Sequence, residues 1–409
     1  MKRLIMISAI AAAFMFLVSI SAVMAQPINY CEGNFDNDLD QDGSDAFVFK
    51  SDFGRSSLLD PCPVIACETA EQLEIEIEQL KTQVAQLTAL LTNVTRVGND
   101  ITFSGVNVHI VDGSGDTYGA VNGFGNLIVG YNELRPSDND RTGSHNIVVG
   151  EFHSYSSFGG LVVGGRNTIS GPLSSVIGGQ FNEASGLSAS VSGGYNNQAI
   201  GDYSFVGGGG NTNPELGNWA VGDYSAILGG TVNTAGDQYG EDSSIGMYST
   251  VSGGSYNNPT GASANVSGGF ANKASGQYAS VCGGANNTAS SQSASVSGGN
   301  NNTASGEASS VSGGRYNVAS GDYSFVGGGG YISASDGNEA FGHYTAILGG
   351  RSNITGDPDL TDHTFAQSAT ISGGYDNTAS GEASSVSGGY SHAVTGAYDW
   401  MAGSLFEPY

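Results

Sequence analysis

Residues 296–310 read V-S-G-G-N-N-N-T-A-S-G-E-A-S-S, and Val311 starts the phrase again with V-S-G-G. The anchor valine recurs at Val251, Val266, Val281, Val296, Val311 and Val326, a period of 15 residues. Earlier anchors stand at Val162, Val176, Val191 and Val206. A phrase of this length cannot bury an apolar face alone, so it predicts stacked turns that share one core. In most turns the anchor is the single large apolar side chain, so it points inward. Stacking then places anchors at the ~4.8 Å strand spacing. The Gly-Gly after the anchor reads as a corner where a Cβ would clash.

Six residues after the anchor stands an asparagine: Asn182, Asn197, Asn233, Asn257, Asn272, Asn287, Asn302, Asn317, Asn353 and Asn377. A column of amides predicts a hydrogen-bonded ladder between turns. The alanine two positions later, as at Ala289 and Ala304, suits a narrow interior, and Gly306 and Gly321 mark a second corner. Cys282 replaces the serine after an anchor and is expected to be a small buried residue. Two units are longer: Val206 to Ile227 spans 21 residues and Ile227 to Val251 spans 24. The same insertions return 120 residues later, and G-D-Y-S-F-V-G-G-G-G at 201–210 reappears at 321–330. A block of turns was duplicated whole. Asp202, Tyr203, Asp223, Tyr224, Asp322 and Tyr323 recur at corners, as solvated residues or as a sugar-binding strip.

Composition removes several functions. Of 409 residues, 65 are Gly and only 12% are charged, against about 25% in an ordinary domain. Acids outnumber bases 38 to 12, a formal charge of -26. No basic face is available for nucleic acid, and an anionic membrane surface repels the chain. Low charge and 39% hydrophobic residues argue against disorder. No two of the six histidines pair with each other or with a cysteine at metal-ligand spacing. The Gly207–Gly210 run fails the dinucleotide pattern, and no G-x-S-x-G elbow exists. The expectation is a non-enzymatic protein. The alternative is a β-helical polysaccharide-active enzyme or a carbohydrate-binding module. Ice binding would need a regular threonine face, which these repeats lack.

The N-terminal part carries three other signals. Lys2 and Arg3 precede an apolar stretch, and Val23 and Ala25 stand at -3 and -1 of a cleavage site. Residues 1–25 read as a signal peptide, although the stretch is also long enough to span a bilayer. The mature chain is then secreted, extracellular or at the cell surface. Export permits disulfides, and Cys31–Cys62 is one pairing open to Cys31, Cys62 and Cys67. Between the first two, residues 34–45 place Asn34, Asp36, Asp38, Asp40, Asp42 and Asp45 at positions 1, 3, 5, 7, 9 and 12 of a twelve-residue loop. That oxygen spacing suits Ca²⁺. From Ala70 to Val94 the apolar residues alternate at spacings of 3 and 4, the seam of a coiled coil across 68–97. Residues 98–125, with I-T-F and V-H-I-V runs, are expected to form a β connector, and 126–409 the repeat head.

Two resemblances follow. The acidic loop within 26–67, running on to F-G at Phe53 and Gly54, resembles a dockerin calcium loop, with Leu39 where glycine is usual and only one copy present. The repeats, with N-L-I-V-G (126–130), N-I-V-V-G (146–150) and G-L-V-V-G (160–164), resemble the left-handed β-roll of trimeric autotransporter adhesin heads of the YadA-like kind. That likeness implies an all-β solenoid, a homotrimer and adhesion to a surface glycan or matrix protein. Here the coiled coil precedes the head, and the C-terminal M-A-G-S-L-F-E-P-Y shows no membrane-barrel strands.

Overall fold

The computed structural model describes residues 65–409, apart from 214–215, 238, 240–241, 359–362, 365, 404 and 408–409. The signal segment, the Cys31–Cys62 pairing and the acidic loop lie outside the described residues. Two compact units divide after Val108.

Among the described residues the first unit holds one α-helix, α1, Ile65–Leu90, and a hairpin. The expected seam outlasts the helix, and Leu91 and Val94 fall beyond its end. The Thr92 hydroxyl donates to the carbonyls of Thr88 and Ala89, 3.1 Å each, which occupies acceptors of the last turn. The next residues are β-branched, and V-T-R-V pairs with D-I-T-F as antiparallel strands Val94–Val97 and Asp100–Phe103. Gly98, at φ 60°, opens the two-residue turn. The V-H-I-V run at 108–111 forms no strand.

The second unit is a parallel β-solenoid of about 16 turns. One ladder starts at Leu127–Val129 and climbs through every anchor pair to Trp400–Ala402. Its register matches anchor to anchor: Val266 to Val281, Val281 to Val296, Val296 to Val311. The short antiparallel strand Leu405–Glu407 pairs with its last member. A second ladder runs through the alanine positions in two stacks, Ser154–Tyr155 to Thr234–Ala235 and Asn258–Pro259 to Ala393–Val394. Most strands are two residues long because each side of the tube has room for one inward side chain.

The interior is filled as the repeat predicts. Anchors such as Val281, Val296 and Ile347 and alanines such as Ala289 and Ala304 are fully buried. Burying each valine contributes about 1.5–3 kcal/mol. In the Gly283–Gly284 pair, only the second glycine is required by shape. Gly284 sits at φ 83°, and a Cβ there would overlap the Gly299 carbonyl of the next turn. Its neighbour Gly283 would meet nothing within 4 Å. Cys282 corrects an expectation: it is exposed, because the residue after an inward anchor alternates outward.

The amide ladder runs the length of the solenoid. Asn287 Nδ2 donates to Gly283 O of its own turn at 2.8 Å and to Gly299 O of the next at 3.0 Å. Its Oδ1 accepts the Asn302 N–H at 3.0 Å. The same pattern passes through Asn167, Asn218 and Asn338, which the six-residue rule misses. Asn218 and Asn338 follow inserted loops, and Asn167 follows a turn one residue short. His153 occupies the rung below Asn167 and its ring Nδ1 accepts the Asn167 N–H at 3.3 Å. Burial holds the His153 pKa below its ordinary value. At the other end the His392 N–H donates to Asn377 Oδ1.

The first inserted loop of each block copy is held differently. In the second copy Asp336 ends a 3₁₀ turn, Ala334–Asp336, and accepts N–H bonds from Ile332 and Ser333. Arg351 pairs with its other oxygen, Nε at 2.9 Å, and lies between the rings of Tyr331 and Tyr375, 5.0 Å from each. The Ser333 N–H, then the Ser333 hydroxyl, Arg351 and the Ile332 N–H hold the Asp336 pKa down to about 2 against the opposing effect of burial. In the first copy Leu216 and Thr231 take these places, with one hydroxyl bond of 3.3 Å between Thr231 and the Leu216 carbonyl.

Candidate functional site: a tyrosine edge

One corner of the solenoid presents aromatic side chains in register. The residue two places before each anchor-strand pair carries left-handed φ, 58° at Tyr203, 60° at Tyr224 and 60° at Tyr248. Each corner N–H donates to a carbonyl of the turn before: Tyr203 to Leu187, Tyr224 to Asp202, Tyr248 to Asp223. These bonds fix the corners one above another and aim the side chains outward. The rings of Tyr203 and Tyr224 stack at 4.9 Å and 11°, those of Tyr224 and Tyr248 at 4.8 Å and 14°. In the second block copy Tyr323 and Tyr344 stack at 5.2 Å and 2°.

The carboxylates beside the rings are partly used by the backbone. Asp223 Oδ1 accepts the Asp202 N–H at 2.9 Å, and Asp322 Oδ1 accepts the Glu307 N–H at 2.8 Å. They also raise the cost of ionising the phenols. Desolvation in the stack, then Tyr248, Tyr203, Asp223 and Asp202, push the Tyr224 pKa up. For Tyr323 the charge of Glu307 leads, followed by desolvation, Tyr344 and Asp322. The edge is therefore neutral in its rings and acidic at its rim at ordinary pH. It suits a neutral or cationic partner and disfavours an anion.

The sequence located the corner Asp-Tyr pairs but not their stacking, which depends on the register of turns separated by inserted loops. Tyr248 and Tyr344 belong to the edge and were missed, because Met247 and His343 replace the aspartate before them. The six calcium-loop residues Asn34, Asp36, Asp38, Asp40, Asp42 and Asp45 lie outside the described residues. Among the described residues no group of three or more His, Cys, Asp or Glu is placed to hold a metal ion.

A second surface belongs to the helical unit. Leu73 and Val84 are 57% and 59% exposed, and Ile77 and Leu87 are exposed beside them. These are the residues of the expected seam, and nothing among the described residues of their own unit covers them. Compared with protein-family models and with curated proteins, the chain finds no match.

Proposed function

We propose that the chain is an exported, non-enzymatic surface or matrix protein whose solenoid is a presented head and whose helix gathers three chains. The exposed seam of the helix carries this reading. Leu73, Ile77, Val84 and Leu87 stand in a narrow stripe with polar flanks, the pattern that a coiled-coil partner covers. Three chains, rather than two, come from the likeness of the repeats to YadA-like adhesin heads. The parallel stack of short strands around an aliphatic column supports that likeness, and the left-handed sense of the coil is part of the proposal. Export through residues 1–25 and Ca²⁺ binding by the dockerin-like loop rest on the sequence. Calorimetry on the mature chain tests the loop: Ca²⁺-dependent heat is expected, and its absence contradicts the site. Asp36→Ala with Asp45→Ala abolishes that heat.

Adhesion is tested by retention of the mature chain on glycan and matrix-protein arrays. Retention on a defined subset supports the reading, and no retention on either array contradicts it.

A further inference from the structure

Along the tyrosine edge the corners at Ser263, Ser293, Ala308, Ser368 and Ala383 carry no ring, and of these only Ser263 has a tyrosine at the corner on either side. Tyr203, Tyr224 and Tyr248 fill three consecutive turns, Ser263 stands at the same corner of the next, and Tyr278 restores the ring in the turn after. The backbone keeps these corners in line. The Ser263 N–H donates to Met247 O and the Tyr278 N–H to Ala262 O, and the adjoining strands pair Thr250 with Asn265 and Asn265 with Ser280. The φ angles of Tyr248, Ser263 and Tyr278 are 60°, 57° and 60°. Tyr248 and Tyr278 are 54% and 56% exposed. Two turns set their rings about 10 Å apart, twice the strand spacing. A guest ring centred over Ser263 would lie about 5 Å from each, within the range of favourable ring stacking and close to the 4.8 Å of the built Tyr224–Tyr248 pair.

We propose that this gap is a binding slot for one neutral pyranose ring of a glycan, held between Tyr248 and Tyr278 above Ser263. The slot rests on the adhesion reading above and names its ligand. A pyranose presents C–H groups on its faces, which suit the electron-rich face of an aromatic ring. Its chair fills the same space between the two rings that the side chain of a tyrosine would occupy at this corner. Its equatorial hydroxyls radiate from the rim, where the Ser263 hydroxyl and the exposed Gln277 amide offer hydrogen bonds. A net charge of -26 repels sulfated or uronic sugars. One slot per chain is weak, and three slots in one assembly raise the effective affinity without a new contact.

The slot can be filled by the chain's own chemistry. Ser263→Tyr supplies the missing rung at a corner whose φ matches that of Tyr248 and Tyr278, so the fold is kept. The full mature chain is titrated by calorimetry with cellohexaose, maltohexaose and chitohexaose. At least one is expected to bind the parent, with Ser263→Tyr and Tyr278→Ala each weakening it at least tenfold at unchanged Tm. Ala383→Tyr, the same kind of exchange at a distant corner, is expected to leave binding unchanged. Equal affinity in Ser263→Tyr and the parent overturns the slot, as does a parent that binds none of the three. Binding of N-acetyltyrosinamide in place of the sugars, lost in Ser263→Tyr, assigns the gap to aromatic side chains and overturns the sugar. The matrix-protein array and the mass of the assembly decide the adhesion reading separately from all of these.

Discussion

The helix at 65–90 and the solenoid turn at 296–310 each carry one apolar stripe, and only the turn covers it. Val296 is fully buried because Val281 and Val311 lie directly below and above it. Val84 is 59% exposed because nothing among the described residues of its own unit covers it. The difference lies in what each element uses as a partner. A solenoid turn pairs with the next copy of itself in the same chain, so the repeat supplies its own core. An a/d helix needs a second helix. The turn is covered from within its own chain, and the helix needs a partner from outside it.

The largest effect should come from breaking the stack. Val296→Asp buries a carboxylate with no counter-charge, costing several kcal/mol or forcing it to protonate. Asn300→Asp, at a partly exposed corner of the same turn, should cost little. Calorimetric Tm values separate the two, and equal values contradict an inward Val296. The anchor, the glycine corners and most of the amide ladder were legible because the 15-residue period holds each side-chain type at one offset. Where insertions shift the offset, Asn218 and Asn338 dropped out of view while keeping their place in space. Cys282 was misjudged from its size rather than from the alternation that turns it outward. The end of the coiled-coil seam was missed because heptad spacing continues through Leu91 and Val94, while β-branched neighbours draw the chain into a hairpin.

Asn287→Ala attacks the ladder itself. It strands the Gly283 carbonyl and the N–H of Asn302, while the Gly299 carbonyl keeps the Ala285 N–H at 2.9 Å. At about 1 kcal/mol for each of these two groups, the loss should reach roughly 2 kcal/mol. A denaturant midpoint unchanged from the parent would mean that the amide is not part of the stack.

The two block copies give a finer contrast. Arg351→Ala removes the clamp on the second copy's loop and should lower Tm less than Asn287→Ala, while Thr231→Ala in the first copy should matter less still. The Asp336 pKa is lowered by folding, so its contribution is present above the unfolded carboxylate value of about 4 and is lost as pH falls through about 2. The Tm difference between parent and Arg351→Ala should shrink over that window. A difference independent of pH would place the effect in ring packing alone.

The smallest effect has the opposite sign. Ser309 is buried, and its hydroxyl makes no hydrogen bond, as do Ser249 and Ser324 at equivalent positions. Alanine already fills this position at Ala279 and Ala294. Ser309→Ala should raise stability by up to about 1 kcal/mol, since it removes an unpaired buried hydroxyl. A loss of similar size would reveal an unseen partner.

The helix tests the need for an outside partner. Sedimentation equilibrium of the mature chain at micromolar concentration, beside a Val84→Asp, Leu87→Asp variant, reads its partner directly. The account predicts three chains for the parent, and for the variant a lower mass with the β-sheet circular dichroism of the solenoid retained. A parent mass of one chain would contradict it, because the exposed seam would then have no partner of its own kind.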